Sequence, residues 1–282
     1  MRKIAIINQK GGVGKTTTAV NLGAGLAAAG RRVLLIDLDP QAHATLHLGI
    51  SDEGSQGSIY DVLVSGASLE SVACRVDESL TVVPSHIDLA AAEVELAGVV
   101  GREMILREKL AEFEDHFDYV LVDCPPSLGV LTLNALTAMQ EAMIPLQAHF
   151  LSLHGLSKLL ETIALVADRL NPQLTISAIV FCMYDSMTRL ASEVRENVEE
   201  FFRQGTSGSS PWAAARTCTT PIRRNVRLAE APSFGQSIFQ YASTSHGADD
   251  YRQLASEVIQ MEEDLAAGSP ELDSLKPAVA AR

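Results

Sequence analysis

"INQKGGVGKTTT", residues Ile7–Thr18, decides the fold. It resembles a phosphate-binding loop but departs from the common pattern, because G-x-x-x-x-G-K-[ST] places a glycine five residues before its last one. Counting back from Gly14 reaches Gln9, and the next residue is a second lysine, Lys10. The stretch follows "KIAIIN" (3–8), an apolar, β-branched run of the kind that forms a strand covered on both faces. It leads into "KTTTAVNLGAGLAAAG", which reads as a helix closed by Gly30. Gly11, Gly12 and Gly14 remove side chains where the backbone must curl around an anion with its N–H groups inward. The helix starting near Lys15 presents unpaired N–H groups and a partial positive charge to that anion. Lys15 can reach terminal phosphates, and the Thr16 hydroxyl can bind the accompanying magnesium.

Working outward, "RVLLIDLD" (32–39) completes a βαβ unit. Further buried strands are expected at 80–85, 119–125, 142–147 and 175–181, with helical periodicity clearest at 102–114, 154–170 and 189–203. This alternation predicts an α/β fold: a mostly parallel central sheet with helices on both faces. No internal repeat or linker divides the chain, so residues 1–265 are expected to form a single domain. Residues 266–282, with proline, glycine and no periodicity, are expected to be a mobile tail, and the Gly/Ser cluster at 205–210 a surface loop.

Two carboxylate groupings stand where ligands of open parallel sheets bind, beyond the carboxyl ends of the strands. "LLIDLDP" ends one strand with Asp37 and Asp39, and "YVLVDCPP" ends another with Asp123. Asp123 suits a water-mediated partner for magnesium. Either Asp39 or Asp37 can accept a hydrogen bond from an attacking water; residue type alone does not separate them.

Composition narrows the classes. Hydrophobic residues make up 47% and aromatics 5%, so the core is mostly aliphatic. Cys74, Cys124, Cys182 and Cys218 form no C-x-x-C pair, which argues against a zinc site or disulfide framework and fits a reducing cytosol. No segment reaches the 18 or so apolar residues of a membrane span. The net charge of −13 opposes general affinity for nucleic acid. Yet residues 201–229 contain five arginines and no acid, a local basic stretch within an acidic chain.

"NQKGGVGKTTTAVNLGAGLA", "RVLLIDLDPQAHAT", "DYVLVDCPPSLG", "MYDS" and "RRNVRLAEAPSFG" occur in this order between residue 2 and about residue 265. Together they resemble the ParA/MinD family of deviant Walker A ATPases, most closely its Soj-like ParA branch. The resemblance implies a P-loop NTPase fold, ATP and Mg2+ as ligands, and a homodimer in the ATP state. Lys10 would then reach across the two-fold interface to the partner's phosphates, beside Lys15 in catalysis. It implies that Asp39 positions the attacking water, that Thr16 and Asp123 serve the metal, and that Gly11, Gly12, Val13, Gly14, Lys15, Thr16 and Thr17 hold the phosphates. Met183, Arg224 and Asn225 would enclose the adenine. It further implies slow, partner-stimulated ATP hydrolysis and binding of double-stranded DNA without sequence preference. Candidate contacts are Arg189, Arg216, Arg223, Arg224 and Arg227, with Arg195 and Arg203 on the preceding helix. The expected role is chromosome or plasmid partitioning with a ParB-type activator, in the cytoplasm and on the nucleoid. The alternatives are positioning a protein cargo through an adaptor, or a MinD-type role at the membrane. The latter needs a basic amphipathic C-terminal helix, whereas "ADDYRQLASEVIQMEEDLAAG" is acidic. Departures from the family pattern are Met187 and Phe234, Arg223 in place of a proline, and His149 and His154, which read as structural.

Overall fold

The computed structural model describes residues 1–51, 57–112, 116–204 and 210–267, with the backbone alone at 150–154 and 265–267. Its strands are β1 (Arg2–Ile6), β2 (Val33–Asp37), β3 (Cys74–Arg75), β4 (Leu80–Val83), β5 (Tyr119–Asp123), β6 (Glu141–Gln147), β7 (Thr175–Tyr184), β8 (Arg216–Thr217) and β9 (Ile222–Arg223). They form one sheet in the order β3-β4-β2-β5-β1-β6-β7-β8, with β9 also on β7. Every pairing is parallel except β3 with β4. All six expected strands are present within a few residues. The two-residue strands β3, β8 and β9 escape a reading of the sequence, because so short a run carries no periodicity.

The parallel sheet requires crossovers, and their helices cover both faces. The central strands are buried on both sides: β2 and β5 show no exposed residue. One apolar cluster includes Ala5, Leu34, Ile36, Val120 and Val122, and the other Ile4, Ile6, Val33, Leu35 and Leu121. Alternate residues of each strand therefore feed opposite layers. The expected helices appear as Ile105–Ala111, Phe150–Arg169 and Arg189–Gln204. The C-terminal helix runs His246–Ala267, so residues 266 and 267 are helical and not part of a tail. Residues 268–282 and most of the expected loop at 205–210 lie outside the described residues.

The first helix, Lys15–Ala28, packs against the last one through Gly25. A Cβ at Gly25 would sit 3.1 Å from Ala255 Cβ and 3.3 Å from the Tyr251 carbonyl oxygen. This close approach matters to the site, since the first helix presents the phosphate loop and the last one carries Tyr251. Gly25→Val should therefore destabilise the chain by about 1–3 kcal/mol through overpacking. Urea unfolding of the two proteins measures the difference.

Candidate nucleotide site

The carboxyl ends of β1, β2 and β5 converge. Asp123 is paired in register with Ile6 on one side and with Asp37 on the other. The loop after β1 then turns back over these ends. Gly12 and Gly14 have φ of 72° and 96°, a region that side-chain-bearing residues avoid, so this turn needs glycine. The Asn8 side chain braces it, donating to the Pro145 carbonyl at 2.7 Å and accepting from the Lys10 N–H at 3.0 Å.

The loop opens into a cavity of about 730 Å³. Gly11, Gly12, Gly14, Lys15, Thr16 and Thr17 line one part of it, with Asp39, Gln41 and His43 beside them. Met183, Ile222, Arg224, Asn225 and Leu228 line the rest, with Tyr251. Thus the structure brings together the phosphate loop, Asp39 and the three residues expected around adenine. Val13 is an exception: its side chain is buried at 1% exposure, so only its backbone is available to a ligand. Lys10 is exposed and does not line the cavity; its carbonyl accepts from Lys15 Nζ at 3.4 Å.

Burial dominates the electrostatics. Asp37 and Asp123 have no exposed surface, and Lys15 is 7% exposed. Both Asp123 oxygens lack a hydrogen-bond partner among the described residues. Burial, and then the charge of Asp37, hold the Asp123 carboxyl well above its ordinary range, against the opposing pull of Thr16 and Lys15. Burial likewise lowers the Lys15 ammonium, while Asp123 and Asp39 oppose that shift. An orphaned carboxylate beside a threonine hydroxyl suits a hydrated divalent cation, so Thr16 and Asp123 could hold one.

Asp37 and Asp39 are now distinguishable. Asp37 accepts from the Thr45 N–H at 2.8 Å, the Thr45 hydroxyl at 2.7 Å and the Asp39 N–H at 3.2 Å. Both of its oxygens are thereby occupied, and it is absent from the cavity wall. Asp39 faces the cavity, with one oxygen accepting from the Gln41 N–H at 3.0 Å.

Sequence reasoning misses Tyr251 on the wall and Gln147 beside the loop. The Tyr251 hydroxyl lies 3.2 Å from Thr18 Oγ1, locking the last helix to the first. Gln147 Nε2 donates to the Gly12 carbonyl at 3.2 Å and sits 3.2 Å from Met183 Sδ, joining the loop to the far part of the cavity. Met183 has φ of 50°, at the irregularity where β7 passes from one β9 partner to the next. His149, expected to be structural, is exposed and lines a neighbouring cavity of about 430 Å³. The His154 side chain lies outside the described ones. No local motif marks Tyr251 or Gln147; they reach the site only when the sheet forms.

A short helix, His43–His47, follows Asp39 and packs on the segment Ala231–Phe234. Glycine meets glycine just beyond: a Cβ on Gly235 would lie 2.9 Å from Gly49 Cα. His47 is 2% exposed in this region, and burial depresses its imidazole to about 4.

Residues 1–176 match a family model described as an AAA domain. The sporulation initiation inhibitor protein Soj of Bacillus subtilis (strain 168) is 46% identical over 256 residues, 90% of this chain and 97% of that protein. The chromosome partitioning protein ParA of Myxococcus xanthus is 43% identical over 260 residues, covering 92% of this chain and 88% of that protein. The chain belongs to the Soj/ParA family of chromosome-partitioning ATPases. Among solved structures, cobyrinic acid a,c-diamide synthase from Mycobacterium smegmatis, with bound ATP analog and magnesium, has a TM-score of 0.77 at 36% identity. The match covers 93% of this chain and 96% of that one.

For a Soj/ParA protein, the arginine surface is the second feature of interest. The basic stretch is not free of acids in space. Arg223 makes a bidentate pair with Asp250, Nη2 donating to Oδ1 at 2.5 Å and Nε to Oδ2 at 3.1 Å, and that carboxylate is 3% exposed. Asp250 also accepts from the Arg223 N–H at 2.9 Å, so this guanidinium, though 45% exposed, is held by a buried carboxylate. Arg189, Arg216 and Arg227 pair with Glu193, Asp264 and Glu230 at 2.8, 3.0 and 2.8 Å, but all six side chains are substantially exposed. Such surface pairs contribute about 0–1 kcal/mol and yield readily to another anion. Arg195 and Arg203 pair with Glu199 and Glu200. Arg224 is exposed, has no ion pair among the described residues and lines both cavities.

His47 makes the stability of this region depend on pH in a defined sense. Its folded pKa lies below the unfolded value of 6.5, so the unfolded chain binds the proton more readily. Stability is therefore lost as pH falls from 6.5 towards 4, by at most about 3 kcal/mol. Asp37, raised to about 6 mainly by burial, acts oppositely: its contribution is present below 3.8 and lost as pH rises through 6. The His47 contribution is therefore read as a difference: His47→Gln should lose less stability than the parent between about pH 7 and pH 4.5 in parallel urea titrations.

Proposed function

We propose that residues 1–265 act as one ATPase unit that hydrolyses ATP with magnesium, dimerises around the nucleotide and moves DNA. The observation that carries this reading is the contrast between the two lysines of one loop. Lys15 is buried at the cavity floor, while Lys10 stands outside its own cavity and is exposed. A second cation at the rim that does not serve its own site is suited to the phosphates held by a partner copy. In a desolvated interface such a cation stabilises the triphosphate's charge, so nucleotide favours the pair.

Within the site each group has one task. The N–H groups of residues 11–17 and Lys15 Nζ hold the phosphates. Asp39 orients the attacking water, since Asp37 is committed to Thr45. Thr16 and, through water, Asp123 would hold magnesium, which when bound neutralises charge developing on the phosphate oxygens. Met183, Ile222 and Asn225 enclose the base. Loss of the terminal phosphate weakens the dimer and releases DNA, giving a nucleotide-timed switch. A ParB-type activator accelerates the step, and the protein works in the cytoplasm on the nucleoid. The chromosome partitioning carried out by the relatives supports DNA as the cargo.

DNA is bound without sequence preference through its phosphates by Arg189, Arg216, Arg224 and Arg227, doubled by the two-fold axis.

Lys15→Ala should abolish nucleotide binding in calorimetry. Lys10→Ala should still bind nucleotide but stay monomeric in sedimentation with a non-hydrolysable analogue and magnesium; a normal dimer would defeat the cross-subunit role. Arg227→Ala should weaken ATP-dependent DNA retardation and lower the slope of log affinity against log salt by about 0.9 for each phosphate no longer neutralised. Unchanged affinity and slope would remove Arg227 from the DNA surface.

A further inference from the structure

We propose that the His43 imidazole donates a hydrogen bond to the terminal phosphate of the bound triphosphate, an interaction that the diphosphate lacks. The inference rests on the nucleotide reading of the cavity and assigns a residue that neither the motif nor the spacing singles out. His43 lines the same wall as Gly12, Lys15, Asp39 and Gln41. Its side chain is exposed and has no hydrogen bond or ion pair among the described residues.

The backbone places it there at a cost. Ala42 has φ of 52° and ψ of 31°, a left-handed conformation that disfavours a residue with a Cβ. Only Met183 shares a positive φ among the described non-glycine residues, and it lines the same cavity. The turn is held on both sides. The Ala42 N–H donates to the Asp39 carbonyl at 2.9 Å, and Thr45 is fixed to Asp37 by its N–H and its hydroxyl. Strain retained between two such anchors, with a polar side chain delivered to a cavity wall, is the pattern of a ligand-binding position.

The charged groups sharing this wall are Lys15 and Asp39, with Arg223 and Arg224 across the cavity. His47 on the same helix is buried, and Asp37 lies beneath. An imidazole donates through one N–H when neutral and through two, with a positive charge, when protonated. A neighbouring phosphate favours the protonated form of an imidazole, so triphosphate binding and protonation of this side chain would reinforce each other.

The test is calorimetry of the full chain with a non-hydrolysable ATP analogue and with ADP, both with magnesium, at about pH 6 and pH 8. In the parent protein the preference for the triphosphate should be about five- to tenfold greater at the lower pH. In His43→Gln the excess should vanish while ADP affinity stays the same; the nucleotide's own titration cancels between the two proteins. Equal pH dependence in both proteins overturns the proposal. Imidazole 1H–15N spectra of the parent chain give a readout free of mutation, with the His43 signal assigned by its absence in the variant. A titration midpoint that rises with the triphosphate and not with ADP supports the hydrogen bond; one that moves with neither overturns it. Failure of the parent chain to bind either nucleotide would instead overturn the reading of the cavity itself.

Discussion

Two carboxylates and one ammonium, all nearly out of water, share the ends of three parallel strands. Asp37 and Asp123 sit in register on adjacent strands, and Lys15 reaches in from the helix that follows the loop. Burying like charges side by side is unfavourable, and the fold relieves it unevenly. Asp37 is satisfied by Thr45, whereas both oxygens of Asp123 are left without a partner among the described residues. Such an arrangement is completed by a cation and the anion that brings it. The site is therefore built around a charge imbalance, and ligand binding is the means of removing it.

The layering of the molecule follows from the same strands. β2 and β5 are buried along their length up to the final aspartate, so they belong in the middle of the sheet with their carboxylates at its rim. This much can be read directly, because a continuous apolar run followed by one acid has few other places to go. The glycine loop is equally legible, since positive φ at Gly12 and Gly14 restricts the residue type. What stays hidden in the sequence depends on distance along the chain. Tyr251 reaches Thr18 across 233 positions, and Gln147 reaches Gly12 across 135. The two-residue strands β8 and β9 take their conformation from pairing with β7 and not from their own residues.

In the arginine stretch, tertiary structure supplies partners that a local reading does not show. No acid occurs between residues 201 and 229, yet the C-terminal helix supplies three of them. Asp250 takes Arg223, Glu257 accepts from the Thr219 and Thr220 N–H groups, and Asp264 takes Arg216. Their seven-residue spacing sets them along one side of that helix, about two turns apart. Arg223 is thus anchored on a buried carboxylate, while Arg216 and the other exposed arginines are held only weakly by their surface partners.

Gly49 and Gly235 touch backbone to backbone, with no room for a single carbon between them. On one side of that point runs the segment bearing Asp39 and His43; on the other runs the one bearing Asn225 and Arg227. Interfaces packed this tightly transmit displacement and do not absorb it. At this point neither backbone can shift toward the other, so the segment that carries Asp39 and the segment that follows Asn225 are held at one fixed spacing by a pair of residues without side chains.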